Sequence, residues 1–227
     1  MSAALHARDP FNQLFARQSK YRLPAELIRD NALAISGLLN VSKIGGKSVK
    51  PYQPAGYYQH LNFPQRKYKH DQGANQYRRG VYVHWQRQFL HPTFRALDAP
   101  RREECTALRP RSNTPLAALA LLNDPSYVEA ARVFAQRVLE DGGDTFEEQL
   151  RFAFLLAVAR SPDPNETKTL KSLYTESKKS FSDNDKDAEK LLGVGLSKQK
   201  PANRIELAAW TQVARAILNF DETITRN

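Results

Sequence analysis

Apolar residues recur at helical spacing in two blocks of this chain, and between the blocks no period holds. The first block opens at Leu23-Pro24. Proline suits a first helical turn, and Leu27, Ile28, Leu33, Ile35, Leu38 and Leu39 continue the stripe, so the spacing predicts a helix over Ala25–Leu39. A turn or two is expected at Pro10–Arg17. The second block starts at Thr114-Pro115. There, and at Asp124-Pro125 and Asp163-Pro164, a capping side chain precedes a proline at the first helical position. Asp163 with Glu166, Asp144 with Glu147 and Asn203 with Glu206 have capping-box spacing. Helices are predicted near Pro115–Leu122, Pro125–Glu140, Thr145–Ala159, Pro164–Lys179, Lys186–Val194 and Arg204–Phe220, with Gly142-Gly143 and Gly195 just past helix ends. The last helix carries a clear apolar stripe of Leu207, Trp210, Ala214, Ile217 and Leu218.

From Val41 to Arg79 the punctuation is Gly45-Gly46, Pro51, Pro54, Gly56, Pro64 and Gly73, with a short helix possible only over Ala55–Asn62. The aromatics of this stretch (Tyr52, Tyr57, Tyr58, Phe63, Tyr68, Tyr77) argue for a loop pinned to a surface rather than a disordered one. Arg79–Phe89 reads two ways. Val81, Val83 and Trp85 alternate like a strand, whereas Tyr82, Trp85 and Phe89 step like a helix; with no obvious partner strand, helix is the expectation. Leu90–Asn113 is a second irregular passage. The chain is therefore expected to be all-α with long irregular loops at 41–79 and 90–113. It should form a single helical domain over 1–227 with a charged helical hairpin or linker at 180–203.

Composition supports a folded chain: 41% of the 227 residues are hydrophobic and 26% charged. Charge changes the picture more. The formal net charge is +10, and between Asn40 and Arg111 there are 14 Lys and Arg against 4 Asp and Glu, so the whole excess sits in the irregular stretch. A localised positive field favours polyanions. Lysines interleaved with aromatics between Lys47 and Tyr58 suit phosphate or sulfate neutralisation together with stacking. The candidate polyanion-binding residues are Lys43, Lys47, Lys50, Tyr52, Arg66, Lys67, Lys69, Arg78 and Arg79. The rival reading is that Tyr52, Tyr57 and Tyr58 pack the loop on the helices, while part of the arginines pair with Asp98, Glu103, Glu104 and free loop carbonyls. Sequence-specific DNA reading is not expected, since no helix-turn-helix or zinc-finger signature is present.

Catalytic signals are weak. Cys105 with His84 or His91 could serve as nucleophile and base, and Asp98 lies nearby, but no thiol-enzyme signature surrounds them. His84 and His91 are seven residues apart, a spacing that shares a helical face, yet His91-Pro92 is expected to break a helix, so no metal site is expected. One cysteine excludes an intrachain disulfide and any Cys-x-x-Cys-His haem attachment, and no cofactor is expected. No apolar run is long enough for a membrane span, and the first residues lack the apolar core of a signal peptide.

Three runs are distinctive: ISGLLNVSKIGGKSVKPYQPAGYY, YRRGVYVHWQRQFLHPTFRALDAPRREECTALRPRSNTPLAALALLNDPSYVEAARVFAQRVL, and RIELAAWTQVARAILNFDETITRN. Together they resemble the family of the domain of unknown function 1553, over nearly the whole chain. That family is a C-terminal module of large planctomycete-type proteins, often following another uncharacterised domain and a cytochrome c-like domain. The resemblance implies no reaction. It implies context: exported, multidomain, cytochrome-linked relatives, and a chain that begins where the family domain is already under way and so is expected to be truncated or split. Arg101 stands where an acidic residue is usual, Gly80 where serine is, and Ala117 where glutamine is. The leading expectation is a non-catalytic helical interaction module that docks a protein partner or the missing N-terminal domains. The alternatives are polyanion binding through residues 40–111, with acidic polysaccharide and nucleic acid both open, and a fragment of a hydrolase or redox enzyme. The compartment is left open.

Overall fold

A computed structural model describes residues 7–15, 18, 20–54, 56–58, 67–86, 89–198 and 203–226. The chain is mainly helical. Its helices are α1 (Ala25–Ser36), α2 (Pro92–Ala96), α3 (Pro115–Asn123), α4 (Pro125–Asp141), α5 (Phe146–Val158), α6 (Pro164–Asp183), α7 (Asp185–Leu192), α8 (Arg204–Leu218) and α9 (Asp221–Ile224). Two two-residue strands, β1 (Tyr21–Arg22) and β2 (Thr225–Arg226), pair antiparallel and tie the two ends of the described chain together.

The core forms where α4 crosses α8. Ala130, Ala131 and Ala135 of α4 and Ala208, Ala209 and Ala214 of α8 are almost fully buried. Their small side chains let the two backbones approach closely. Phe134, Phe154 and Trp210 fill the space around them. Trp210 stacks on Phe146 with ring centroids 5.1 Å apart and meets Tyr174 of α6 at 5.6 Å. Each such aromatic contributes about 1.5–3 kcal/mol by leaving water. A single hydrophobic cluster runs from Ala25 through Leu218, so α1 and the irregular passages share the core of the C-terminal helices.

Most helix starts lie where the capping residues place them. Thr114, Asp124 and Asp163 each accept a backbone N–H ahead of a first-turn proline, and Asn203 accepts those of Ile205 and Glu206. Around Asp144 the cap is shifted by one residue. Thr145 and Glu148, not Asp144 and Glu147, exchange the reciprocal capping bonds of α5. At the other end of α1 the helix stops three residues before Leu39. Gly37 takes φ +83 and the Leu39 N–H returns to the Leu33 carbonyl at 3.0 Å, a glycine-terminated cap.

Two further expectations are corrected. Over its described residues Arg79–Phe89 is not an α-helix: Gly80–Tyr82 makes one 3-10 turn and Val83 is then extended. Its partner comes from far upstream. Val49 N–H donates to the Tyr82 carbonyl at 2.7 Å and His84 N–H to the Val49 carbonyl at 2.6 Å, a single bridge that buries Val83, while Val81 stays exposed in the 3-10 turn and so does not share its face. Leu90–Asn113 is not irregular throughout: no helix runs into His91, but Pro92 opens α2, because proline lacks only an N–H that a first turn leaves unpaired anyway. Of the possible helix at Ala55–Asn62 only residues 56–58 are described, as a turn, and of the Pro10–Arg17 segment residues 10–15 are, also as turns.

Gly80 is required by a close approach. A Cβ there would lie 2.6 Å from the Glu26 carbonyl oxygen of α1, while its N–H donates to the buried Asp30 carboxylate at 2.6 Å.

Candidate functional site

An irregular chain has many backbone carbonyls and no ladder to satisfy them. Here buried arginines supply the donors. Arg29, on the inner face of α1, donates to the carbonyls of Arg78 (2.7 Å) and Gln76 (2.5 Å). Burial pushes its guanidinium below the ordinary range, while Tyr127, Asp30 and Asp124 oppose the shift. Arg78 is only 2% exposed; it donates to the carbonyls of Lys47 (2.7 Å) and Gly45 and lies 4.5 Å from the Tyr82 ring centroid. Arg22 does the same for the second passage, reaching the carbonyls of Leu97 and Ser112 and the Asp98 carboxylate at 2.6 Å. Burial pushes the Asp98 carboxyl up, but bonds from Ser112 and Arg22 outweigh it and hold the group below its usual range.

A second anchor was not visible in the sequence. Glu129 and Arg132 on α4 are each 1% exposed. The Glu129 carboxylate accepts from Tyr77 Oη (2.6 Å), Tyr52 Oη (3.2 Å) and the N–H groups of Leu196 (2.7 Å) and Ser197 (2.6 Å). Arg132 lies 3.9 Å from it and donates to the Ser197 carbonyl at 3.0 Å. Burial, and then the adjacent Glu129, raise both tyrosine pKa values, so the hydroxyls stay protonated and donate. This one carboxylate holds the aromatic loop and the link between α7 and α8 on the same helix.

Between these anchors the irregular stretch forms a cleft. Lys50 and Asp71 are joined by two hydrogen bonds, Asp71 N–H to the Lys50 carbonyl (2.9 Å) and Lys50 N–H to the Asp71 carboxylate (2.8 Å). The segments around residues 47–50, 69–72 and 84 line a cavity of about 940 Å³. Lys43, Lys47, Lys50 and Lys69 all contribute to its wall, with His70 and His84 beside them and Arg78 below. Among the described residues, none of the four ammonium groups has a carboxylate within 4 Å; Asp71 is the acidic residue of the lining.

Of the sequence candidates for polyanion contact, four lysines are thus brought together. Lys67 is exposed but does not line the cavity, and Arg66 lies outside the described residues. Arg79 is exposed and pairs with Asp30 at 3.7 Å. Tyr52 and Arg78 are buried and engaged inward, so the structure takes both off the surface set.

The catalytic candidates are not assembled. His84 lines the lysine cleft, whereas Asp98 lines a separate depression of about 500 Å³ together with Arg101, Arg102 and Glu103. His91 is buried against the Tyr52 carbonyl, with 2.5 Å between Nε2 and the oxygen. Cys105 is exposed on the 101–111 loop. Among the described residues no group of three or more His, Cys, Asp or Glu is placed to hold a metal ion, and no helix is long and apolar enough to cross a membrane.

Comparison with curated proteins and with solved structures finds no match. A family model does match. The matched span covers every residue of the cleft together with Glu129 and Arg132, and ends inside α6 ahead of the core helix α8. It is the model described as PSD1, protein of unknown function (DUF1553), it takes in residues 1–174, and the chain belongs to that family.

Proposed function

We propose that this chain is a non-catalytic helical interaction module that binds an acidic ligand in the lysine cleft. The observation that supports it is the convergence of Lys43, Lys47, Lys50 and Lys69 on one concave wall, where among the described residues no carboxylate lies within 4 Å of their head groups. Separation in sequence makes this informative: Lys43 and Lys69 are drawn together by a loop whose own charges would drive it apart in water. The guanidinium of Arg78 lies under the same wall, its two Nη groups already on carbonyls, and adds positive potential from a buried position. In the larger cytochrome-linked assembly that the family resemblance suggests, the cleft would face an acidic partner or polymer, and the helices would act as its support.

The test is retention on heparin as a function of salt. Four neutralised charges give a log–log slope of about −3, and retention should collapse when Lys43, Lys47, Lys50 and Lys69 are all changed to Gln. Retention unchanged in that variant would reject the cleft.

A further inference from the structure

We infer that the cleft reads a sulfated polysaccharide through charge and hydroxyl contacts alone, with no part for base stacking. This rests on the reading of the cleft as the binding element and narrows its ligand.

The first observation is where the aromatics go. In sequence they alternate with the lysines, the arrangement that stacks the bases of a single-stranded nucleic acid. In the folded chain they turn away. The hydroxyls of Tyr52 and Tyr77 end on Glu129, that of Tyr57 on the Leu90 carbonyl at 3.0 Å and that of Tyr68 on the Pro51 carbonyl at 2.6 Å. Tyr57 and Tyr58 each meet Phe89 edge to face, as Tyr58 meets Tyr68, with centroids 5.4–5.9 Å apart, and Tyr57 and Tyr58 are tilted against each other at 6.1 Å. The Tyr82 ring lies under Arg78. No Tyr, Phe or Trp lines the cleft among the described residues, and of its two imidazoles His70 already lies 5.1 Å from the Tyr52 ring. Among the described residues, a base entering the cleft meets no tyrosine, phenylalanine or tryptophan face.

The second observation is the chemistry of the donors. The accessible cations are ammonium groups, compact point charges that suit tetrahedral oxyanions; planar carboxylates are better matched by guanidinium forks, and the one fork here is occupied by backbone. The third is the neutral part of the wall. Ser48, Gln72 and Asn75 line the same cavity, offering hydroxyl and amide groups that can pair with sugar hydroxyls between charges. A phosphate chain can only accept from them, whereas sugar hydroxyls both donate and accept, so a sugar matches more of this wall.

The experiment compares dextran sulfate, inorganic polyphosphate, polygalacturonate and single-stranded DNA, matched in charge concentration, by fluorescence anisotropy competition at fixed salt. The proteins are the wild type, the quadruple Lys43→Gln, Lys47→Gln, Lys50→Gln, Lys69→Gln variant, and a charge-matched control altered at Lys168, Lys179, Lys186 and Lys198. Circular dichroism checks that each is folded. Dextran sulfate should bind about tenfold or more tighter than the other three, and the quadruple variant, but not the control, should lose about thirtyfold or more of that affinity. The triple variant Ser48→Ala, Gln72→Ala, Asn75→Ala should weaken dextran sulfate about fivefold or more and polyphosphate by a clearly smaller factor. DNA, polyphosphate or polygalacturonate binding as tightly as dextran sulfate, with the quadruple variant still defective, overturns the sulfated-sugar assignment and leaves the cleft standing. A quadruple variant that binds all four like the wild type, or a wild type that binds none, overturns both.

Discussion

Glu129 offers the sharpest perturbation of the architecture. Its carboxylate, itself fully buried, takes two tyrosine hydroxyls and two backbone N–H groups from partly buried neighbours and faces the buried Arg132. Glu129→Ala would strand four donors and one guanidinium; removing one partner of a buried pair typically costs about 3–5 kcal/mol, comparable to a domain's whole stability. Glu129→Gln is more informative. Its carbonyl oxygen can occupy the Oε1 position, which serves Tyr77, Leu196 and Ser197, and the Tyr52 hydroxyl can rotate to accept from the amide. What it loses is the charge opposing Arg132. The expected loss is about 2–3 kcal/mol, read as a lower urea midpoint at constant m-value. Arg132→Met alone should also destabilise, because Glu129 is then buried without its counter-charge. The double variant should be less destabilised than the two singles added together, with a coupling of about 1–2 kcal/mol. Strict additivity, or a Glu129→Gln variant within about 0.5 kcal/mol of wild type, would refute the role of Glu129 as the joint between loop and helices.

Two more outcomes follow from buried groups. Burial, with Arg29 adding to it, pushes the His91 imidazole below its ordinary 6.5 against the opposing pull of Asp124 and the Tyr52 carbonyl. Below pH 6.5 the unfolded chain therefore binds a proton that the folded one refuses, and stability should fall by up to about 1.4 kcal/mol per pH unit; His91→Gln should flatten that slope in urea titrations at pH 7.5 and 5.5, and parallel profiles would exclude His91 as the cause. Gly195 sits at φ +97, with a built Cβ only 2.2 Å from Glu129 Cδ, so Gly195→Ala should cost about 3 kcal/mol, against about 1 kcal/mol for Gly73→Ala, which shares the positive φ but meets nothing within 4 Å; equal thermal shifts would contradict the clash.

What was legible in the sequence was local. Thr114, Asp124, Asp163 and Asn203 mark helix starts because a cap and its N–H partners lie within three residues of each other. Pro92 bars a helix through His84 and His91, as its ring predicts, but it also opens α2, and five residues are too few to show a helical period. The β1–β2 pair is two residues long and spans the chain, so no periodic signal could announce it. Glu129 and Arg132 are typical surface residues of a helix by type. Their burial depends on the loop that Tyr52 and Tyr77 carry and on the 195–197 link, which arrive from distant parts of the chain. One signal was available in the residue types: Ala130, Ala131 and Ala135 put small side chains on more than one face and hint at a helix covered on all sides, and the structure buries Ser126 to Arg132 without interruption. Likewise the alternation of lysine and tyrosine was plain, but not that the two kinds would face opposite ways.

That segregation has an energetic consequence that can be measured. The basic residues of the stretch divide into arginines that satisfy carbonyls inside, such as Arg78, and lysines left at the surface. Arg78 has no carboxylate within 4 Å among the described residues, so its buried charge is compensated only by carbonyl dipoles and by the ring of Tyr82. Each lysine around it adds repulsion that the fold must tolerate. Neutralising Lys43, Lys47, Lys50 and Lys69 should therefore raise stability, by about 1 kcal/mol in low salt, while it removes binding. The gain should shrink as added salt screens the wild-type cleft, with the two urea midpoints converging near 1 M, where the screening length is about 3 Å. If the quadruple variant is instead destabilised at every salt concentration, the lysines hold the loops in place, and the charge of this stretch is architecture throughout.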